Sequence, residues 1–302
     1  MQVEEILQNL PKNSHRHIAR AITIVENELT QYEYLLEHIS IQNTPVIGFT
    51  GSPGAGKSTL VNQFIKRLLI ANKKVAVIAV DPTSPFNFGA LLGDRIRMLE
   101  HFKNEHLFIR SIATRGSLGG LSDKIIEIIE VCKSSNFDYI LVETVGVGQS
   151  EVEIAGLADI CAVVLVPEMG DQIQNMKSGI MEIADVFVVN KADKPGTELF
   201  INNLKLMLHF KENSPEIPII PTQAINDIGI DELYSTIINL LQSADKQSVD
   251  KKIMLLAIKA YKMIQKDKMK GIILKDIYND IKSTYNNEYN IYKYIKKYKS
   301  II

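Results

Sequence analysis

From Val46 to about Leu241, short apolar runs alternate with segments of helical periodicity. The runs fall at 46–50, 75–80, 107–112, 138–143, 161–166, 185–190 and 217–221, and each predicts a strand. Helices are predicted over 57–71, 120–134, 172–183, 197–210 and 229–242. Alternation of this kind predicts an α/β fold, a mostly parallel sheet with helices on both faces. Runs such as Val75–Val80 and Cys161–Val166 are apolar at every position, which suits strands buried on both sides.

The flanks have a different pattern. Upstream, one helix is predicted over 14–40, with Ile18, Ile22, Val25, Leu29 and Tyr32 on one stripe. Downstream, the polar stretch 243–250 marks a boundary. Beyond it Ile253, Leu256, Ala260, Tyr261 and Ile264 form one helical stripe, and Ile277, Ile281 and Tyr285 another. These stripes suit packing on the domain or a dimerisation arm. The expected organisation is a helical extension (1–43), an α/β domain (44–245) and a helical arm (246–302).

Composition adds modest constraints. The chain has 302 residues, 46% of them hydrophobic, enough for one large domain or for one domain plus an appendage. Net charge is −1, but residues 251–302 carry 13 lysines against four acids. A solvated helical face is the plain reading of that tail; an acidic partner or nucleic acid is the other, and nucleic acid is not expected. Two cysteines, Cys132 and Cys161, make no disulfide framework or metal cluster, which fits a reducing compartment. His15 and His17 sit two apart on a helix, so their rings point apart. The acidic start Met1–Glu5 is not a signal peptide, and no apolar run is long enough to span a bilayer. A cytoplasmic location without membrane contact is expected.

Two motifs carry the chemistry. Gly51-Ser52-Pro53-Gly54-Ala55-Gly56-Lys57-Ser58-Thr59 lies within a phosphate-binding loop of the form G-x-x-x-x-G-K-[ST]. It follows an apolar strand and opens a helix. Its glycines let backbone N–H groups converge on phosphate without Cβ clashes, and the helix N-terminus adds a positive dipole end. Lys57 is expected on the β- and γ-phosphates and Ser58 on Mg²⁺. The second motif is Asn190-Lys191-Ala192-Asp193, the guanine-reading N-K-x-D. The Asp193 carboxylate can accept from N1–H and the 2-amino group of guanine, a donor pair that adenine lacks. An acceptor left unpaired in a dry pocket costs about 1–3 kcal/mol, enough for selectivity. Lys191 can lay its alkyl stem across the base. Backbone amides at Gln223 and Ala224, after the last strand, can complete the pocket. Together the motifs predict binding of GTP and GDP, and hydrolysis of GTP.

Acids at strand ends come next. Glu143 is placed to hold Mg²⁺ through water, and the Gly146 N–H can approach the γ-phosphate. Asp81, in Asp81-Pro82-Thr83, can touch Mg²⁺ or orient the attacking water; capping nearby amides is the alternative. Asp94 reads equally as a helix-start acid. GTPases of the Ras kind carry Asp where Glu143 stands and Gln where Val147 stands.

Longer runs resemble a known family. Glu143-Thr-Val-Gly-Val-Gly-Gln-Ser-Glu151, the segment from Val80 to Met98, Phe108 through Gly120, and Gly170 through Asp185 are similar to the MeaB/ArgK GTPases, which include the methylmalonic aciduria type A protein. The likeness runs over about 14–245. It implies a P-loop NTPase fold of the SIMIBI class and a homodimer. It also implies a chaperone role toward adenosylcobalamin-dependent acyl-CoA mutases such as methylmalonyl-CoA mutase, gating cofactor loading and protecting or reactivating the enzyme. Cobalamin would be met only through that partner. Asp81, Asp94 and Glu143 fall on the family's Mg²⁺ and catalytic acids, and Gln172, Gln174 and Lys177 on a segment coupling nucleotide to mutase. Asn87-Phe88 and Gln223 depart from the family pattern. The missing Ras-type Gln predicts slow hydrolysis alone and acceleration by a partner. Arg95, Arg97, Arg110 and Arg115 are candidates for charge in cis. The rival readings are a metal-inserting GTPase and an ATP-using kinase of transport proteins.

Overall fold

The computed structural model describes residues 1–81, 104–113, 124–144, 154, 156–169, 183–209 and 217–243, parts of 253–284, and 294. The chain divides into two compact units, Met1–Asp245 and Lys246–Ile302.

Among the described residues, the first unit is built on seven parallel strands: β1 (Val46–Gly51), β2 (Val75–Asp81), β3 (Leu107–Ala113), β4 (Tyr139–Glu143), β5 (Ile160–Leu165), β6 (Val186–Val189) and β7 (Ile219–Pro221). Their order is β3-β2-β4-β1-β5-β6-β7, and every pairing is parallel. The first strand is therefore central, with β4 on one side and β5 on the other. The order reverses there, and in open parallel sheets the crevice at such a reversal, beyond the strand C-termini, is where ligands bind.

Helices cover both faces. Helix α4 (Lys57–Ile70) and α7 (Ile230–Gln242) pack on one face, with Ile47, Phe49, Val77 and Leu141 between them and the sheet. The opposite core holds Val46, Ile78, Ile140 and Val142. It also takes in α1 (Val3–Asn9), α2 (His15–Glu26), α5 (Ile125–Lys133) and α6 (Thr197–His209). The continuous apolar runs are explained by this arrangement: every residue of β1 and β5 is buried because neither face meets water. The N-terminal helices thus share the sheet's own core.

The helix expected over 14–40 is two helices. After α2 the chain closes a Schellman turn, with the Leu29 N–H on the Ile24 carbonyl and the Glu28 N–H on that of Val25. Helix α3 (Tyr32–His38) follows. Glu28 and Gln31 both have positive φ, +46° and +68°, which costs a non-glycine residue roughly 1–2 kcal/mol. A tertiary contact offsets this: Lys124 Nζ lies 2.7 Å from Glu28 Oε1 and 5.0 Å over the Tyr32 ring. Leu29 accordingly faces outward, 37% exposed, instead of joining the stripe. The predicted helix at 120–134 has its described part at Ile125–Lys133, and that at 172–183 lies outside the described residues except for Ile183.

In the second unit, α8 (Leu274–Thr284) is closed on its own segment by the Tyr294 hydroxyl, which donates to Asp280 Oδ2 at 3.0 Å. Ile253, Tyr261 and Ile264 are exposed, while Ile277 and Ile281 are half-buried. Leu256 and Tyr285 lie outside the described residues.

Candidate nucleotide site

The phosphate loop joins the C-terminus of β1 to the N-terminus of α4. Gly51 has φ +137°, and a Cβ there would lie 2.1 Å from the Val164 carbonyl of β5, so only glycine lets the two strands approach. Gly54 (φ +75°) has nothing within 4 Å of where a Cβ would stand. It and Pro53 form the exposed lip of the loop, while Ser52 and Thr59 are half-buried and Ala55 is buried. The α4 N-terminus opens beneath them.

Lys57 is 6% exposed, and its ammonium curls back along the loop to donate to the carbonyls of Gly51 (2.8 Å) and Ser52 (2.9 Å). The buried Ser58 hydroxyl donates to Glu143 Oε1 at 2.7 Å. This contact follows from the register: β4 lies beside β1 with Glu143 opposite Phe49, which brings the end of β4 to the start of α4. One residue on, Thr144 Oγ1 donates to Thr50 Oγ1 at 2.9 Å. A hydroxyl and a carboxylate held together against the loop are hard oxygen donors of the kind Mg²⁺ takes, so the residues present fit that ion.

The second motif closes onto the first. Asn190, 3% exposed at the end of β6, donates through Nδ2 to the Ala55 carbonyl at 2.8 Å. Its Oδ1 accepts from Thr222 Oγ1 (3.2 Å) and from the Ala224 N–H (3.1 Å). Lys191 takes a left-handed backbone, φ +57°, and is half-buried; Asp193 is exposed at the rim. Next to Asp193, Lys194 pairs with Glu168, and its hydrogen bond holds that carboxyl below the ordinary range.

The Thr222, Gln223 and Ala224 N–H groups are all engaged inside the fold, on Val189, Ile228 and Asn190 respectively. The Gln223 side chain accepts from Asn226. What this turn visibly does is orient Asn190.

Two residues that motif reading passed over hold the turn from beneath. Gln63 Nε2 donates to the Ala224 carbonyl at 3.1 Å. Arg67 Nη1 meets Asp227 Oδ1 at 2.6 Å, and its Nε and Nη2 reach the two carboxylate oxygens of Asp231 at 2.9 and 3.4 Å. Hydrogen bonds to Asp231 first, then Asp227, raise the guanidinium pKa further and lower that of Asp231. Their only signal in the sequence is the spacing of four, which puts Gln63 and Arg67 on one face of α4.

Other expected residues fall elsewhere. Asp81 ends β2 opposite Ala113, with its side chain outside the description. Asp94, Gly146, Gln172, Gln174 and Lys177 lie outside the described residues, as do Arg95, Arg97, Arg115, Asn87, Phe88 and Val147. Arg110, a candidate for charge in cis, sits mid-strand on β3 and donates to Glu26 Oε2 (2.9 Å) and Thr23 Oγ1 (3.4 Å) of α2. It is committed to fastening the N-terminal helices. Cys132 is buried, and burial pushes its thiol up to about 12, outside reactive range. Among the described residues, no three His, Cys, Asp or Glu side chains gather to hold a metal, and no helix is long and apolar enough to cross a membrane.

A parallel sheet with a phosphate loop after its central strand and an N-K-x-D turn two strands away defines a P-loop GTPase. The family described as "Methylmalonyl Co-A mutase-associated GTPase MeaB" matches residues 18–275, and the chain belongs to it. A putative GTPase of Pyrococcus horikoshii is 46% identical over 242 residues, 78% of this chain and 76% of that protein. GTPase ArgK of Escherichia coli is 36% identical, over 78% of this chain and 75% of its own. The mitochondrial methylmalonic aciduria type A homolog of Mus musculus is 34% identical, over 78% of this chain and 62% of its own. Among solved structures, one described as LAO/AO transport system kinase superposes with a TM-score of 0.71 at 26% identity, covering 95% of this chain and 93% of that one. The expected fold and family are borne out.

Proposed function

We propose that this GTPase is a chaperone of an adenosylcobalamin-dependent acyl-CoA mutase, gating cofactor loading and protecting or reactivating the enzyme. One observation carries the reading. The match to a mutase-associated GTPase family spans 18–275, and so takes in the phosphate loop, Glu143, the guanine turn and the segment 170–185. The mouse relative's name points the same way.

For hydrolysis, the chain supplies positioning and charge. Asn190 and Asp193 read the base, with Lys191 alongside it. The Lys57 ammonium, held at the loop by two carbonyls, is placed to take charge that builds on the transferring phosphoryl group. Ser58 and Glu143 are the residues that would hold Mg²⁺, which when bound neutralises charge across the phosphates. Asp81 is assigned to position the attacking water, with Asp94 as a second acid and the Gly146 N–H on the γ-phosphate. Gln172, Gln174 and Lys177 couple nucleotide to client. Residues 44–245 form the GTPase domain in this reading, 1–43 its helical extension and 246–302 the arm of a homodimer. Cys132 and Cys161 are buried thiols outside any disulfide, which supports a reducing, cytoplasmic setting.

The test is capture from native extract on the immobilised protein, with GDP and with a non-hydrolysable GTP analogue. Nucleotide-dependent recovery of a cobalamin mutase, which then accelerates GTP hydrolysis, is the expected result. Recovery of no cobalamin enzyme in either state would overturn the reading. The structural likeness to a protein titled transport system kinase favours a second reading, phosphoryl transfer to a transport protein. Preferential use of ATP over GTP would select it.

A further inference from the structure

We infer that Arg67 and Gln63 are positioning residues that set the affinity for guanine and leave the hydrolytic step alone, a role that rests on reading Asn190 and Asp193 as the base contacts. The turn from Thr222 to Gly229 is poorly anchored by burial. Thr222 and Ala224 are buried, but 225–228 are exposed in succession, with Ile225 at 84%. Two left-handed residues, Asp227 (φ +61°) and Gly229 (φ +77°), shape it. A segment with so few apolar contacts is held in place by its polar links.

Backbone bonds between Gln223 and Ile228 close the turn on itself, and Thr222 ties its start to β6; its side-chain links to a helix come from α4. Gln63 holds the Ala224 carbonyl, and the N–H of the same residue holds Asn190 Oδ1. Asn190 in turn reaches the Ala55 carbonyl in the phosphate loop, from which α4 starts. The hydrogen bonds close a ring through phosphate loop, Asn190, Ala224, Gln63 and back along the helix. Arg67, one turn further on, binds Asp227 within the turn and Asp231 in the first turn of α7 that follows it. The Arg67 side chain is 15% exposed, while those of Asp227 and Asp231 are 46% and 84% exposed. Single exposed ion pairs are worth little. Here one planar fork makes three bonds to two carboxylates, and it is the fork that fixes direction.

Removing these links frees the turn to move and loosens the Ala224 N–H from Asn190 Oδ1. The base side loosens. Lys57, Ser58 and Glu143 are held by separate bonds and keep their places. Affinity for guanine nucleotide therefore falls, while turnover at saturation holds.

The experiment titrates GDP and ADP, each with Mg²⁺, into the full chain and its Arg67→Ala, Arg67→Lys and Gln63→Leu variants, and measures kcat for GTP. For Arg67→Ala the expected result is a loss of about tenfold in GDP affinity, the scale of one charged hydrogen bond. ADP affinity and kcat stay unchanged. Arg67→Lys, a point charge without the fork, falls between. Equal losses for GDP and ADP, as general destabilisation would give, overturn the inference, and so does wild-type GDP affinity in all three variants. A wild-type chain with no preference for GDP over ADP overturns the guanine reading itself. Should Arg67→Ala fail to fold, Arg67→Lys and Gln63→Leu decide the matter alone.

Discussion

Asn190 donates through Nδ2 to the carbonyl of Ala55 at 2.8 Å, so the N-K-x-D turn is hydrogen-bonded to the phosphate loop although 135 residues separate them. Gly56 lies in the same contact. It has φ +88°, and a Cβ there would stand 2.4 Å from Asn190 Nδ2.

Gly56→Ala should therefore damage both halves of the site at once. The left-handed backbone alone costs alanine roughly 1–2 kcal/mol, and the clash adds displacement of Asn190. We expect GTP affinity to fall by at least about tenfold, read by calorimetry with Mg²⁺ present. Wild-type affinity would show that the Gly56–Asn190 contact does not matter to binding.

The bond from Ser58 to Glu143 predicts a metal phenotype. A hydrogen bond to a buried carboxylate contributes about 1.5–3 kcal/mol, and Glu143→Gln keeps an acceptor while removing the charge. The Mg²⁺ concentration for half-maximal hydrolysis should rise about tenfold or more in that variant. Chelation of Mg²⁺ should abolish hydrolysis in the wild type. An unchanged Mg²⁺ titration would remove Glu143 from the metal's surroundings.

Arg110 and Glu26 predict a stability effect without a catalytic one. Their side chains are 24% and 9% exposed, so the pair is only partly screened. Glu26→Gln should cost about 1–2 kcal/mol. That lowers the melting temperature by roughly 3–6 °C, with kcat unaltered. A hundredfold fall in kcat for Arg110→Ala would instead restore Arg110 as the charge supplied in cis.

His15 makes stability depend on pH. Its Nε2 is buried without a hydrogen-bond partner and its ring meets the edge of Phe108. Burial lowers its pKa below the ordinary 6.5, with Glu105 opposing. Because the unfolded chain then binds the proton more tightly, the contribution is whole above about 6.5 and is lost as pH falls below it. Urea unfolding at pH 7.5 and 5.5 should show a smaller acid-side loss in His15→Leu than in wild type. Equal losses would mean that His15 does not titrate in this window.

Both nucleotide motifs were legible because each is a contiguous run in a recognisable strand–turn context. The strands were legible because a sheet covered on both faces needs uninterrupted apolar runs. The break at Asn27–Gln31 was not, because its helix ends with Glu28 in the position where glycine is the usual signal, held there by Lys124. Arg67 and Gln63 were invisible for a related reason. A polar residue on a helix reads as solvated until its partner is known, and the partners of Arg67 are 160 and 164 residues away.

By itself, then, the order of residues determined the fold class, the family, and the presence of both nucleotide motifs. Those properties depend on local pattern, and local pattern survives without coordinates. Only the tertiary structure decided which of their residues meet. Strand order put the end of β4 against the start of α4, giving Ser58 its Glu143. It committed Arg110 to Glu26, and it joined Asn190 to Ala55. Contacts between residues a hundred positions apart are set by how the sheet is assembled, and no run of neighbouring residues encodes that order.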